Sequence, residues 1–160
     1  LPLIEVAAKR GCRLIANASG EEGIPAEAEG RVENLVKMME LMDRRGIPIE
    51  NRFLDPLVLP IATDGGNGRR FLDAVRILRE RFPEVHITGG FSNVSFGLPK
   101  RKLINDAMTC LARENGADTA FIDPTASDEF QPDDEGFKKA TAALLGEDEF
   151  CVEFMAWAKQ

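Results

Sequence analysis

The sequence predicts an α/β fold made of parallel strand–helix units, and three observations lead to this prediction. Short apolar segments of strand composition alternate with longer segments whose apolar residues recur at helical spacing. The two kinds of segment repeat at intervals that suit right-handed crossovers between parallel strands. Polar or glycine residues end the strand-like segments at intervals of 33 to 38 residues: Asn17, Asp55, Gly90 and Asp123.

Four strands are predicted from short apolar runs that stop at a polar residue, a glycine or a proline. Apolar runs of this kind are typical of parallel strands that are covered on both faces. Pro56 closes the second strand and Pro124 closes the fourth, because proline cannot continue a central strand. The predicted strands are 12–17, 51–55, 85–89 and 118–123.

Six helices are predicted between and after these strands. Their apolar residues recur every three or four positions, and a glycine or a proline ends most of them. A polar, glycine-rich segment at 63–68 is predicted to be a flexible loop, since no Walker lysine follows it. The predicted helices are a first segment from Leu1 ending at Gly11, then 27–45, a helix carrying Phe71, Val75, Leu78 and Phe82 and ended by Pro83, then 102–115, 134–145 and 148–158.

Composition and charge limit the class of protein. The chain has 160 residues, which favours one domain or part of a larger one, and its net charge of −7 argues against a nucleic-acid partner. No apolar run approaches the roughly 20 residues that span a membrane. The three cysteines have no close pair, so we expect neither a disulfide framework nor a metal site, and a cytoplasmic setting.

The strand–helix repeat leaves two architectures open. Four units form either a small open sheet or half of an eight-stranded β/α (TIM-type) barrel, which typically needs about 250 residues. In both, ligands bind at the carboxyl ends of the strands. The candidate ligand-binding groups are therefore Asn17, Asp55, the turn of Ser92 and Asn93, and Asp123.

Two of these groups suggest specific chemistry. The carboxylate of Asp55 can accept two parallel hydrogen bonds from an amidine-like edge such as the amino-pyrimidinone of a pterin, or it can simply cap its loop. The amide of Asn93 can hydrogen-bond to a nitrogen whose charge changes during a reaction, or it can order its turn. His86 lies within a strand without a cysteine or histidine partner, which indicates a structural role.

The segment from Gly90 to Pro99, followed by Arg101 and Leu103-Ile104-Asn105, resembles a known family. It is similar to the pterin-binding methyltransferases that move a methyl group between methyltetrahydrofolate and a corrinoid protein. The resemblance extends over nearly the whole chain, including the run from Phe53 to Pro60 and the run from Gly116 to Pro124.

The resemblance implies a fold, a chemistry and partners. The chain would correspond to strands five to eight of the family's eight-stranded barrel, with residues 1–160 forming a single domain that lacks the N-terminal half. A tetrahydrofolate substrate, a corrinoid carried by a partner protein and a homodimer are implied, and the direction of transfer stays open. Association of two copies is also expected because a half-barrel exposes strand edges.

The resemblance also implies roles for individual residues. Asp55 would bind the amino-pyrimidinone edge of the pterin, and Asn93 would hydrogen-bond the methyl-bearing ring nitrogen. Gly90 and Ser92 would line the pocket, and Arg101 would assist folate binding. Two alternatives remain: a dihydropteroate synthase-like enzyme, against which the Ser92-Asn93-Val94 sequence counts, and a catalytically silent half-barrel that self-associates.

Overall fold

The computed structural model describes residues 2–123, 125 and 134–159, and within them it has an α/β fold. The described part of the chain has three strands in one sheet, six α-helices and three short 3-10 helices. The strands are β1 (Leu14–Asn17), β2 (Arg52–Asp55) and β3 (His86–Ile87). The helices are α1 (Pro2–Arg10), α2 (Ala28–Arg44), α3 (Asn67–Arg81), α4 (Arg101–Glu114), α5 (Glu135–Leu144) and α6 (Val152–Ala158). The 3-10 helices are Ile49–Asn51, Phe91–Ser95 and Glu149–Cys151.

The sheet is parallel throughout, with strand order β1-β2-β3. Asn17 is the register partner of Asp55, and Leu54 is the partner of Ile87. Each connection between neighbouring strands contains one long helix, α2 or α3, as the strand–helix repeat predicts. The prediction of an α/β fold with a parallel sheet is therefore confirmed.

The predicted fourth strand does not form a regular ladder. Thr119 and Phe121 donate backbone hydrogen bonds to the carbonyls of Ile87 (3.2 Å) and Gly89 (3.0 Å), so this segment runs beside β3. The Ile87 N–H, however, donates to the Asp118 carboxylate at 2.8 Å, where a regular ladder would use a backbone carbonyl. A side chain thus takes the place of the return bond, and the strand prediction at 118–123 is wrong for this reason. Pro124 lies outside the described residues.

The end of the predicted 63–68 loop is also different in the structure. Asn67 and Gly68 are buried and form the first turn of α3. The Asn67 side chain donates to the Pro60 carbonyl at 2.9 Å, which fixes the start of the helix. The loop prediction is therefore wrong at its last two residues.

One face of the sheet is buried and the other is open. Ala16, Leu54 and Ile87 are neighbours in the register and pack into the helical layer with almost no exposure. The prediction that both strand faces are covered is therefore wrong. The residues of what we call the open sheet face border a concavity of about 230 Å³: Arg13, Ile15, Phe53, Thr88, Thr119, Ala120 and Phe121.

The described helices include none that is long and apolar enough to cross a membrane.

Helices α3 and α5 come close together at Gly68. A Cβ atom added there would lie 2.2 Å from the Leu144 carbonyl oxygen, which is a backbone atom and cannot swing aside. Gly68 therefore allows the start of α3 to touch the end of α5. Gly65, in the preceding loop, has no atom within 4 Å of the same position.

We predict that Gly68→Ala destabilises the fold, although alanine normally favours a helix. The added methyl group overlaps the Leu144 carbonyl, and overpacking of this kind costs about 1–3 kcal/mol. Urea unfolding measures the change. Gly65→Ala is the matched control and should alter the free energy of unfolding by less than about 0.5 kcal/mol. Equal stability of the two variants would contradict the close contact.

Candidate functional site at the carboxyl end of the sheet

The carboxyl ends of the strands bring the predicted ligand-binding residues to one edge of the sheet. Asn17 and Asp55 are the last residues of β1 and β2 and are register partners. After β3, Gly89 and Gly90 lead directly into the 3-10 helix that carries Asn93. Asp123 follows the extended segment that runs beside β3. The geometric expectation that the carboxylate and the amide share one edge is met.

Asp55 is a half-buried carboxylate on the same face of the sheet as Phe53. Its Oδ1 accepts a hydrogen bond from the Leu57 N–H at 2.8 Å, and no hydrogen bond from a described residue reaches its Oδ2. Burial raises the pKa of Asp55, and the Leu57 hydrogen bond partly opposes this rise. One carboxylate oxygen is therefore fixed by the loop, and the other can accept a hydrogen bond from a ligand.

Asn17 and Asp123 have local partners instead. Asn17 Oδ1 accepts from the Ser19 N–H at 3.1 Å, which orders the loop after β1. Asp123 Oδ1 accepts from the N–H of Thr125 at 2.9 Å and from its hydroxyl at 2.7 Å. These two hydrogen bonds lower the pKa of Asp123. Both side chains therefore stabilise their own turns.

Asn93 is exposed on the 3-10 helix Phe91–Ser95. Its backbone N–H donates to the Gly90 carbonyl at 3.0 Å, while no hydrogen bond to a described residue engages its side-chain amide. A Cβ atom added at Gly90 would lie 3.1 Å from Asn93 Nδ2. The glycine thus leaves room for this amide beside the backbone.

Arg101 braces the turn that carries Asn93. Its Nε donates to the Ser95 hydroxyl and its Nη2 to the Ser92 carbonyl, both at 3.0 Å. The guanidinium also lies 4.4 Å from the ring centroid of Phe96. The Ser95 hydroxyl, which is fully buried, is 2.7 Å from Asn105 Oδ1. Ser95 and Asn105 belong to the segment of family resemblance, but sequence analysis assigns them no role.

The loops on either side of the site are connected. The Ile61 N–H, in the loop after β2, donates to the Val94 carbonyl at 3.0 Å. This bond fixes the Asp55 loop against the helix that carries Asn93. Sequence analysis misses Arg31, which is fully buried and bonds to the same loop. An arginine on the apolar face of α2, between Ala28 and Leu35, is the signal that marks it.

Other concave and titratable features lie apart from Asp55 and Asn93. A cavity of about 720 Å³ is bordered by the loop after β1 and by α2, including Ser19 and Asn34, and neither Asp55 nor Asn93 lines it. His86 is 2.8 Å from the Asp118 carboxylate and stacks on Phe53 at 4.6 Å. No group of three metal-ligating side chains occurs in residues 2–123 or in the other described residues.

Parallel strand–helix units with an open carboxylate and an open amide at the carboxyl edge define a class of protein. In α/β proteins with parallel sheets, ligands bind at this edge, so these polar groups mark a candidate ligand-binding site. Residues 2–123 match the family model described as "Pterin binding enzyme", and the chain belongs to this family. The resemblance noted in the sequence is confirmed at this level.

Individual relatives agree with the family assignment. The chain is similar to a methylcorrinoid:tetrahydrofolate methyltransferase of Eubacterium limosum, with 36% identity over 88% of this chain and 50% of the relative. It is similar to the methionine synthase of Mycobacterium tuberculosis (strain ATCC 25618 / H37Rv), with 30% identity over 72% of this chain and 10% of that protein. The methionine synthase of Mycobacterium leprae (strain TN) is 29% identical over 74% of this chain and 10% of its own length. The chain thus spans about half of the first relative and a tenth of the others.

We predict that Asp55→Asn stabilises the chain at pH 7. Burial raises the pKa of Asp55 above its ordinary value of 3.8, so ionisation is less favourable in the folded state than in the unfolded state. The wild type therefore loses stability as the pH rises through the folded-state pKa of Asp55. The gain in the free energy of unfolding that Asp55→Asn produces should be complete above that pKa and should become smaller as the pH falls towards 4. Unfolding curves recorded at several pH values measure this gain.

Asp123→Asn is the matched control, because it is expected to change the free energy of unfolding in the opposite direction. Hydrogen bonds from Thr125 lower the pKa of Asp123, so its ionised form is favoured in the folded state. This variant should be slightly less stable than the wild type at pH 7. A loss of stability in Asp55→Asn at pH 7 would contradict the burial argument.

Proposed function

We propose that the chain is the pterin-binding and catalytic part of a methyltransferase that moves a methyl group between methyltetrahydrofolate and the cobalt of a corrinoid protein. The observation that carries the proposal is the placement of Asp55 and Asn93 at the same edge of the sheet, each with a polar side-chain atom that no described residue engages. The family match and the similarity to the Eubacterium limosum enzyme, whose name contains both methylcorrinoid and tetrahydrofolate, support it.

We propose that Asp55 binds the amino-pyrimidinone edge of the pterin. The edge presents N–H donors side by side, and a carboxylate is the acceptor that fits them. The open Oδ2 of Asp55 supports this role, because Oδ1 is already occupied by the Leu57 N–H. The half-burial of Asp55 strengthens such hydrogen bonds by lowering the local dielectric constant.

Asn93 acts on the reacting nitrogen in this proposal. A tertiary amine is a poor leaving group, so loss of its methyl group requires that electron density on the nitrogen be stabilised as the N–C bond breaks. The Asn93 amide donates a hydrogen bond to this nitrogen and so stabilises the transition state, while a proton from solvent, which the neutral amide cannot itself supply, goes to the nitrogen as the methyl group leaves. Bound corrinoid, in its cobalt(I) form, supplies the nucleophile for the methyl group.

The remaining site residues shape and hold the pocket. Gly90 and Ser92 line it, and Gly90 leaves the space that the Asn93 amide occupies. Arg101 assists folate binding, and its hydrogen bonds to Ser92 and Ser95 keep the Asn93 turn rigid. Rigidity matters because an amide that must be aimed at a reacting atom loses its effect when it moves by about 1 Å.

We propose that residues 1–160 correspond to strands five to eight of an eight-stranded β/α barrel. The parallel sheet with one open, apolar face supports this placement, because the inner face of such a barrel is covered only when the barrel is closed. The same face supports a homodimer, in which a second copy covers it. A cytoplasmic setting is supported by three free thiols: Cys12, Cys110 and Cys151.

Asn93→Ala should reduce the rate of methyl transfer to a corrinoid protein by roughly tenfold to a thousandfold, the range for losing one aimed donor. Affinity for methyltetrahydrofolate should change little, because the amide acts mainly in the transition state. Asp55→Asn should show the reverse pattern, with weaker folate binding. Stopped-flow methyl transfer and isothermal titration with methyltetrahydrofolate, in the full gene product, measure the two effects.

Asn51→Ala, at the amino end of β2, is the control for loss of an asparagine amide and should leave both quantities unchanged. A wild-type rate in Asn93→Ala would remove Asn93 from the mechanism. Binding of a pterin without any methyl transfer would favour the dihydropteroate synthase-like alternative or the silent half-barrel.

The open sheet face should mediate self-association of this 160-residue chain. Ile15 and Phe121 on this face are 46% and 55% exposed, and covering them removes apolar surface from water. We expect a dimer by light scattering, and a shift towards monomer in Ile15→Lys. Val6→Lys, an equally exposed position on α1, is the control and should leave the mass unchanged. A wild-type monomer would contradict the homodimer.

A further inference from the structure

Arg31 is a buried cation whose hydrogen bonds all go to backbone carbonyl groups. It is fully buried in α2, and its guanidinium donates to the carbonyls of Pro25 (3.0 Å), Leu57 (2.9 Å) and Ala26 (3.3 Å). Burial lowers the pKa of Arg31, which reflects the cost of removing its charge from water. A well-packed apolar side chain often serves stability equally well at such a position. The hydrogen bonds therefore require another explanation.

The hydrogen bonds of Arg31 connect two loops at the carboxyl edge of the sheet. Pro25 and Ala26 precede α2, whereas Leu57 follows β2 and lies two residues beyond Asp55. A second connection lies nearer the surface, where Arg70 of α3 pairs with Glu27 before α2 at 3.4 Å and with Asp64 in the loop after β2 at 2.7 Å. Of these two connections, only the one made by Arg31 includes a hydrogen bond to Leu57.

Leu57 is the residue through which Arg31 can act on the site. Its φ angle is +66°, a left-handed conformation that is unfavourable for leucine and persists only where the surroundings impose it. Its carbonyl accepts from Arg31, and its N–H donates to Asp55 Oδ1 at 2.8 Å. The two polar groups of one strained residue thus link a buried cation to the site carboxylate.

We propose that Arg31 is a positioning residue for Asp55. By holding the Leu57 carbonyl, it keeps Leu57 left-handed and directs the Leu57 N–H to Oδ1, so that Oδ2 stays turned towards the ligand. The proposal rests on the proposed function only in taking Asp55 as the pterin-binding carboxylate. The guanidinium of Arg31 bonds to Leu57 beside Asp55 and makes no hydrogen bond to Asn93, so its effect should fall mainly on folate affinity rather than on the methyl-transfer step.

The test uses Arg31→Met, Leu57→Gly and the double variant. Arg31→Met should weaken methyltetrahydrofolate binding about tenfold, the size of one directed hydrogen bond, with the rate at saturating folate within about twofold of wild type. Leu57→Gly alone should bind folate as the wild type does. The double variant should recover most of the lost affinity, because glycine adopts φ near +66° without strain.

Arg70→Met is the matched control. It removes a neighbouring arginine that links the same loops but has no hydrogen bond to Leu57, and it should leave folate affinity unchanged. Arg31→Lys tests the same idea if Arg31→Met fails to fold, because one ammonium group cannot span three carbonyls. Arg31→Lys should weaken methyltetrahydrofolate binding less than Arg31→Met does, and adding Leu57→Gly should again restore the affinity.

A second readout needs no folate. In the wild type, the ¹H–¹⁵N resonance of the Leu57 amide should follow the titration of Asp55, since the two groups are hydrogen-bonded. This coupling should disappear in Arg31→Met and return in the double variant. If the wild type does not bind methyltetrahydrofolate, the proposed function fails while the NMR titration still decides the role of Arg31.

Two results would overturn the positioning role. One is a Leu57 amide that follows Asp55 equally well in Arg31→Met and in the wild type. The other is a loss of folate affinity in Arg31→Met that Leu57→Gly does not suppress, since this would mean that Arg31 acts by another route.

Discussion

The parallel pairing of β2 with both of its neighbours is the constraint on which the rest of the structure depends. Parallel strands end on the same side, so the pairing of Asn17 with Asp55, and of Leu54 with Ile87, places the loops after all three strands together. The buried neighbours Ala16, Leu54 and Ile87 hold this register, because a shift by one residue would turn them out of the helical layer. The site thus owes its geometry to apolar packing on the opposite face of the sheet.

Asp55 shows how the fold and the site make opposing demands. At the position where we propose that it binds the pterin, the Asp55 carboxylate is partly removed from water, and its raised pKa reflects the cost of this burial. The structure offsets this cost with the Leu57 N–H, which requires a left-handed leucine. Groups that bind ligands are commonly unfavourable for stability in this way.

Much of the fold was predictable because local patterns and tertiary structure agree. The helix predicted at 27–45 is α2, Ala28–Arg44, since its apolar spacing matches the layer it packs on and Gly46 takes the positive φ that ends it. The carboxyl-end rule likewise predicted that Asp55 and Asn93 lie at the same edge of the sheet.

The rest depends on interactions that sequence patterns do not reveal. The segment 118–123 has strand composition, but the Asp118 carboxylate takes the hydrogen bond that a strand ladder needs. Gly68 has loop composition because glycine disfavours helices, yet it lies in the first turn of α3, where the Leu144 carbonyl of α5 leaves no room for a side chain. The helical pattern places Arg31 on the apolar face of α2, but only the three-dimensional arrangement of carbonyl groups shows how its charge is accommodated there.

The contact between Gly68 and the Leu144 carbonyl makes the C-terminal helices part of the architecture around the ligand edge. Helix α3 starts directly after the loop that follows Asp55, and its first turn meets the last turn of α5 with no side chain between them. No side chain at Gly68 can change rotamer to absorb a shift of α5 against α3. The position of α5 is therefore tied to the first turn of α3, and with it to the end of the loop that begins after Asp55.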